Sequence, residues 1–265
     1  MYPELLRLGS FHLSTYGLAL AIAFLVTIGL ASQATTQARG RLGPLTSTEL
    51  VDWGCWGMLG GIVGGRLLYV ILNWDSYAAT PLEIFALWHG GLIWYGGFAG
   101  GLLAHAWYVQ AHHHSVLASA DQVIPFVALG HAIGRLGCFA NGCCAGKPSG
   151  GWCAVQFPGQ PHPVIATQLL ESASLVGLFL GLRALQRASV LRRPGRLLGC
   201  YLLGYAVIRW ILEVWRANQP LLWDNWTIYQ RISAVIQISG LVLILVAKER
   251  SHGADVSVCR RAPRG

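Results

Sequence analysis

The chain has 265 residues, of which 54% are apolar and 11% charged, with a net charge of +8. A soluble domain carries about 25% charged residues, so this chain cannot coat a water-exposed surface of its own size. Disorder, coiled coil and collagen are excluded. Nucleic-acid binding is excluded too, because the basic residues fall in short loops between apolar runs.

Crossing ~30 Å of hydrocarbon takes about 20 mostly apolar residues. Seven runs approach that length: Tyr16–Ser32, Leu50–Leu72, Gly91–Ala111, Asp121–Phe139, Val164–Leu182, Leu197–Trp215 and Ile228–Ala247. They predict an all-α polytopic membrane protein of about seven transmembrane helices. Residues 1–248 form one transmembrane domain, and the polar, basic tail 249–265 is expected to be disordered. The first run follows only Met1–Thr15, which has no charged start and no small-residue cleavage site. It reads as a retained helix rather than a removed signal. Paired glycines recur in the second and third runs, at 60–61, 64–65, 96–97 and 100–101. Small residues four apart let helices approach closely in lipid.

The loops show a strong asymmetry. One side collects twelve Lys/Arg, including Arg39, Arg41, Arg183, Arg187 and the tail; the other holds Arg7, Lys147 and Arg216. The basic side is cytoplasmic by the positive-inside rule. The N-terminus is therefore expected outside and the C-terminus in the cytoplasm. Trp74, Tyr77, Trp88, Trp152, Trp223 and Trp226 fall on the outer side and read as an interfacial belt. His112–His114 falls on the inner side and reads as a solvated loop.

Four arginines lie inside the spans: Arg66, Arg135, Arg209 and Arg231. Each costs about 2.5–3.5 kcal/mol at the bilayer centre and so needs a partner or a function. Arg209, Glu213 and Arg216 share one helix face at spacings of four and three. One glutamate cannot neutralise both arginines, so the face reads either as a salt bridge between Glu213 and one arginine or as an anion site. Arg66 has two open readings, an acid on another helix or a lipid headgroup.

Arg135 precedes a glycine-rich turn ending in Asn141-Gly142-Cys143-Cys144-Ala145-Gly146. A guanidinium fork matches phosphate oxygens, and glycine N–H groups can line an anion site. A phosphate ligand near the outer face is the expectation. Gln168 and Glu171, one turn apart, enter the membrane together and read as a polar cluster or as interhelical hydrogen bonding. His89 and Tyr95 flank glycine pairs at the outer start of the third span. Cys138, Cys143, Cys144 and Cys153 gather at the outer end of the fourth span. A disulfide, free thiols and a metal site are all open for them, although C-x4-C-C-x8-C is not a recognisable zinc pattern.

The stretch Gly134–Gly146, G-R-L-G-C-F-A-N-G-C-C-A-G, resembles the signature of the prolipoprotein diacylglyceryl transferases. Further matches follow in order: Tyr16-Gly17, Gly64-Gly65-Arg66 with Tyr69, the glycines of 90–97, His162-Pro163 with Gln168 and Glu171, and Arg209-x3-Glu213-x2-Arg216 with Gln230. The resemblance covers about residues 10–248. It departs at Cys138, where the family usually has Asn; at Cys143, where it has Glu; and at Tyr95, where it commonly has His.

The resemblance implies transfer of a diacylglyceryl group from phosphatidylglycerol to the cysteine thiol of a prolipoprotein signal peptide, in a bacterial inner membrane. It implies no metal and no organic cofactor. Arg135 and Arg209 would stabilise the leaving phosphate. Tyr16, Arg66, Asn141, Gly146, Glu213, Gln168 and Glu171 would line the substrate site among membrane lipids. The thiol must lose a proton; Tyr95 stands in for the usual His, with His89 or Glu171 as substitutes. Two rivals stand beside this reading. One is a catalytically altered or inactive paralogue that binds lipid or lipoprotein. The other is a transporter or receptor for an anionic ligand.

The charge asymmetry is testable by reporter fusion. A reporter active only outside the cytoplasm should work after Lys147 and stay silent after Arg193 or at the C-terminus. Activity at the C-terminus would contradict an odd number of spans.

Overall fold

The computed structural model describes residues 4–8, 11–78, 80–87, 90–151, 153–188, 193–217 and 227–246. His89, Trp88, Trp152, Trp223, Trp226 and the tail 249–265 lie outside the described residues.

A short antiparallel pair, β1 (Glu4–Leu8) and β2 (Phe11–Ser14), leads into α1 (Thr15–Gln37). Ser14 ends the strand and starts the helix, its hydroxyl accepting from the Gly17 N–H at 3.0 Å. α2 (Ser47–Leu72) opens with a capping box in which Thr46 and Glu49 each accept from the other's backbone N–H. A short helix α3 (Trp74–Ala78) and a 3₁₀ turn (Pro81–Phe85) lead to α4 (Trp94–Ala111). α5 (Val116–Asn141) starts at Ser115 and ends at Gly142, whose φ of 75° is the left-handed stop of a helix. A two-residue pair, β3 (Ala154–Val155) and β4 (Val164–Ile165), precedes α6 (Thr167–Arg187), α7 (Arg196–Glu213) and α8 (Ile228–Val246).

The chain is mostly helical, though the two small hairpins qualify the all-α expectation. Among the described residues, five helices are long and apolar enough to cross a membrane: α1, α2, α5, α6 and α8. The expected third and sixth spans coincide with α4 and α7, each 18 residues long. At 1.5 Å per residue these reach about 27 Å, just under the hydrocarbon thickness. α4 is diluted by His105, Gln110 and its aromatics, and α7 by Arg196, Arg209 and Glu213.

α5 is the hub, packed on α1, α6 and α7, while α2 pairs with α4 and α7 with α8. Half of the apolar stretch of α5 is buried, against 11% for α8. The span that carries His131 and Arg135 is thus the most enclosed of these five helices, which is why those residues are tolerable there. Leu25, Leu67, Leu103 and Leu245 point outward, as lipid-facing residues do.

Polar side chains on α5 also set its neighbours. Gln122, fully buried, accepts from Leu45 N and donates to Leu45 O and Thr35 Oγ1. The Asp121 carboxylate accepts from the Gly195 and Leu198 N–H groups at 2.7 and 2.8 Å, capping α7 from another helix. On the expected inner side, His114 contacts Glu49 at 3.1 Å and His112 bonds Tyr108 O. That histidine run is therefore packed in part rather than simply solvated.

The glycine pairs make the α2–α4 seam. A Cβ at Gly60 would stand 2.7 Å from Gly100 O, and one at Gly64 2.9 Å from Gly100 Cα. No side chain larger than hydrogen fits between the backbones. Arg66 closes the end of the seam nearest residues 83–91. Its Nε donates to Ile84 O at 2.8 Å, Nη1 to Gly90 O and Gly91 O at 2.6 and 3.1 Å, and Nη2 to Glu83 O and Ala86 O at 2.6 and 3.3 Å. The guanidinium also lies near the Tyr69 and Tyr77 rings, 5.8 and 5.3 Å from their centroids. Five carbonyls occupy its five N–H donors.

Lysine cannot reproduce that fork. An orphaned buried acceptor costs about 1–3 kcal/mol, and Arg66→Lys would leave at least two. Thermal unfolding in detergent should show a loss of several kcal/mol, roughly 2–6. A variant as stable as the wild type would show the tether to be dispensable.

Candidate active site

The loop after α5 is zipped between two helices. Gly146 N donates to Ile165 O and Lys147 N to Trp215 O, both at 2.8 Å. Ile165 N returns a bond to Lys147 O at 3.1 Å. A Cβ on Gly146 would sit 2.6 Å from Trp215 O and 2.8 Å from the Thr167 methyl, so only glycine lets the loop close. The start of α6 then binds the loop's carbonyls. Gln168 Nε2 donates to Cys143 O at 2.6 Å, and Thr167 Oγ1 to Cys144 O at 3.0 Å. Cys144 is held at φ 64°, a left-handed conformation rare for a residue with a side chain. Such a conformation costs on the order of 1–3 kcal/mol and persists only where its surroundings impose it.

Below the loop lies a buried charge cluster. Arg135 Nη2 is 3.0 Å from Glu171 Oε1, but off the hydrogen-bonding line. The Tyr205 hydroxyl also reaches Arg135. His131, one turn before Arg135, faces the Tyr201 hydroxyl at 3.4 Å and the Tyr205 ring at 4.9 Å. Arg209 Nη2 donates to Glu213 Oε2 at 3.1 Å, Thr227 Oγ1 donates to Glu213 Oε1 at 2.8 Å, and the Tyr229 ring stacks on Arg209. His131 and Tyr205 feel the charge of both Arg135 and Arg209, so these arginines serve one region.

Three guanidinium nitrogens stay without a hydrogen-bond acceptor among the described residues: Arg135 Nε, Arg209 Nη1 and Arg216 Nε, all buried. The region has three arginines against two glutamates. A buried donor left unpaired costs about 1–3 kcal/mol, and spare positive charge in a dry site favours an anion.

The cysteines meet at the mouth of the same region. The sulfurs of Cys138, Cys143 and Cys144 lie within 4.8 Å of one another. Cys153 is not in that group, and the six described cysteines are free thiols. The Cys144 thiol is pushed below the usual thiol range, first by its hydrogen bond with Cys138, then by the charges of Arg216 and Arg135. Tyr16, at the start of α1, lies within electrostatic range of all three cysteines and Arg135.

The structure therefore brings together Tyr16, Arg135, Gly146, Gln168 and Glu171, with Arg209 and Glu213 alongside. Asn141 is half-buried at the last turn of α5. Arg66 stands apart, bound to the backbone of residues 83–91. Tyr95 is 62% exposed and packs edge-on against Trp94. His89 falls outside the described residues. The sequence reading missed His131, Tyr201, Tyr205, Thr167 and Thr227. A signal was present: Tyr201, Tyr205, Arg209 and Glu213 recur every fourth residue, one polar stripe on an apolar helix.

Residues 3–246 match the family model described as prolipoprotein diacylglyceryl transferase. The chain belongs to the prolipoprotein diacylglyceryl transferase family. Similar proteins bear the name phosphatidylglycerol–prolipoprotein diacylglyceryl transferase. One, from Polynucleobacter asymbioticus, is 35% identical over 82% of this chain and 83% of its own. Another, from Zymomonas mobilis, is 35% identical over 94% and 91%. A third, from Gluconobacter oxydans, is 31% identical over 94% and 93%. Prolipoprotein diacylglyceryl transferase membership and the apolar helices agree on a multi-pass membrane protein.

Closure of the loop depends on Gly146. Gly146→Ala should unseat it and raise alkylation rates at Cys143 and Cys144 several-fold, as resolved by mass spectrometry. Unchanged rates would show that the loop absorbs a methyl group without moving.

Proposed function

We propose that the protein moves the diacylglyceryl group of phosphatidylglycerol onto the cysteine thiol of a prolipoprotein signal peptide. The bilayer is a bacterial inner membrane, crossed seven times with the N-terminus outside; α4 and α7 complete the set begun by the five more apolar helices. Family membership supplies the reaction class, and the similar proteins' names supply the substrates.

The thiolate sulfur attacks the glyceryl carbon, a C–S bond forms, the C–O bond breaks, and glycerol-1-phosphate leaves with the electron pair. Charge therefore grows on the leaving phosphate. Donors aimed at developing charge in a dry site are the strongest catalytic devices available to such a reaction. The observation that carries this reading is the pair of unmatched buried donors, Arg135 Nε and Arg209 Nη1. Glu171 and Glu213 hold the two guanidinium groups in place from behind. Tyr16, Asn141, Gly146 and Gln168 border the lipid headgroup, and Arg66 shapes its entrance through the loop 83–91. For the thiol proton, the sequence offers Tyr95, His89 and Glu171; of these, Glu171 is committed to Arg135.

The test is thioether formation on a lipobox peptide in phosphatidylglycerol vesicles. Arg135→Ala and Arg209→Ala should each lower the rate about 10²–10³-fold, as loss of one transition-state donor does elsewhere. Arg135→Lys should also fall, because the planar fork is gone. Arg260→Ala should be silent. A fully active Arg135→Ala chain would place the phosphate elsewhere, and a wild type without transfer would favour the lipid-binding paralogue.

A further inference from the structure

We propose that Cys138, Cys143 and Cys144 hold a thiophilic cation of the zinc type, whose open fourth position receives the substrate thiol as thiolate. The inference rests on the transferase reading for its substrate and on independent geometry for its site.

The geometry is that of three converging sulfurs. They lie within 4.8 Å of one another. Three thiolates on zinc, at about 2.3 Å from the metal, stand about 3.8 Å apart in a tetrahedron, so closure needs at most about one ångström per pair. Cys143 is half-buried, its S–H donating to Cys138 O at 3.6 Å. Cys138 is buried at the base and Cys144 is exposed at the rim, so a fourth ligand approaches from the rim side.

The surroundings suit the charge. Three thiolates and one divalent cation sum to −1. Arg216 hydrogen-bonds Cys144, and Arg135 lies within electrostatic range of Cys138 and Cys144. Outer contacts orient the ligands, as metal sites require. Gln168 and Thr167 hold the carbonyls of Cys143 and Cys144, and the left-handed backbone at Cys144 aims its sulfur. Thiolate ligands select zinc and copper(I) over harder ions, and three protein ligands with an open position are the pattern of catalytic zinc.

The chemistry fits the reaction. A thiol that coordinates such a cation is deprotonated outright. The lipobox S–H replaces a bound water, and its proton leaves with that water toward the outer side. The sulfur then carries the pair that attacks the glyceryl carbon, while the C–O pair leaves on the phosphate beside Arg135. No side-chain base is needed. Cys138 and Cys143 stand where the resembling family usually has Asn and Glu, so the three-thiol set belongs to chains with this variant signature.

The experiment uses the full chain, purified in detergent under reducing conditions, with zinc and cobalt(II) as probes. About one zinc per chain should remain after gel filtration, and cobalt should show a sulfur-to-metal charge-transfer band. Cys138→Ser, Cys143→Ser and Cys144→Ser should each lower retained zinc about ten-fold or more, while Cys55→Ser and Cys200→Ser should not. Helical circular dichroism and elution volume report whether each variant is folded. A lipobox peptide should shift the cobalt spectrum, and the same peptide with serine for cysteine should not. A folded wild type that takes up neither metal, its thiols free or joined in a disulfide, overturns the site. A cobalt spectrum blind to the cysteine peptide overturns the open position. Neither readout depends on transfer, so a chain that binds metal and peptide yet transfers nothing refutes the transferase reading alone.

Discussion

A guanidinium enclosed by helices and hydrocarbon must be answered by acceptors, because no water is at hand to solvate it. Three arginines of this chain meet that demand in two ways, and much of the structure is arranged around them. Arg66 is answered by backbone alone: five carbonyls from residues 83–91 wrap it, and the segment before α4 takes its path from that wrapping. Arg135 and Arg209 are answered by carboxylates, one from α6 and one from a turn further along α7. Each of those two retains a buried donor. The first arginine is structurally complete and the other two are chemically incomplete, which separates scaffold from site on one physical criterion.

The helices themselves were legible from composition. Each expected span coincides with a helix of at least 18 residues, because apolar length is a property of neighbours in the chain. The site was legible where its members share one helix: Arg209 and Glu213 declare each other at a spacing of four. Contacts between helices left fainter marks. Thr167 and Gln168 matter because they meet the carbonyls of Cys143 and Cys144, and no side-chain pattern announces a carbonyl. Arg66 was read as a partner for an acid or a headgroup for the same reason. The hairpin at residues 4–14 was missed because its strands are too short to set an alternating pattern. Tyr95 was named because it stands where the resembling family commonly has His, between glycine pairs; the structure seats it beside Trp94 on an exposed face of α4.

The loop after α5 shows how few contacts are needed to join three helices. Gly146 and Lys147 bridge β4 and the end of α7, while Thr167 and Gln168 draw the same loop onto α6. α5 supplies the arginine and one cysteine, the loop supplies two more, α7 supplies Arg209, and the segment after α7 supplies Arg216. Displacing the loop would therefore disturb the sulfurs and the buried arginine donors together, since Arg216 is both a β-bridge partner of Gly146 and a neighbour of Cys144.

The Asp121 carboxylate finishes the first turn of a helix that begins more than seventy residues later. α5 leaves the ribosome before α7, so the cap is already waiting when α7 is made. A late helix closed by an early one takes its height in the bilayer from it. Tyr201, Tyr205 and Arg209 ride on that helix, and their depth opposite His131 and Arg135 is in this way inherited during synthesis.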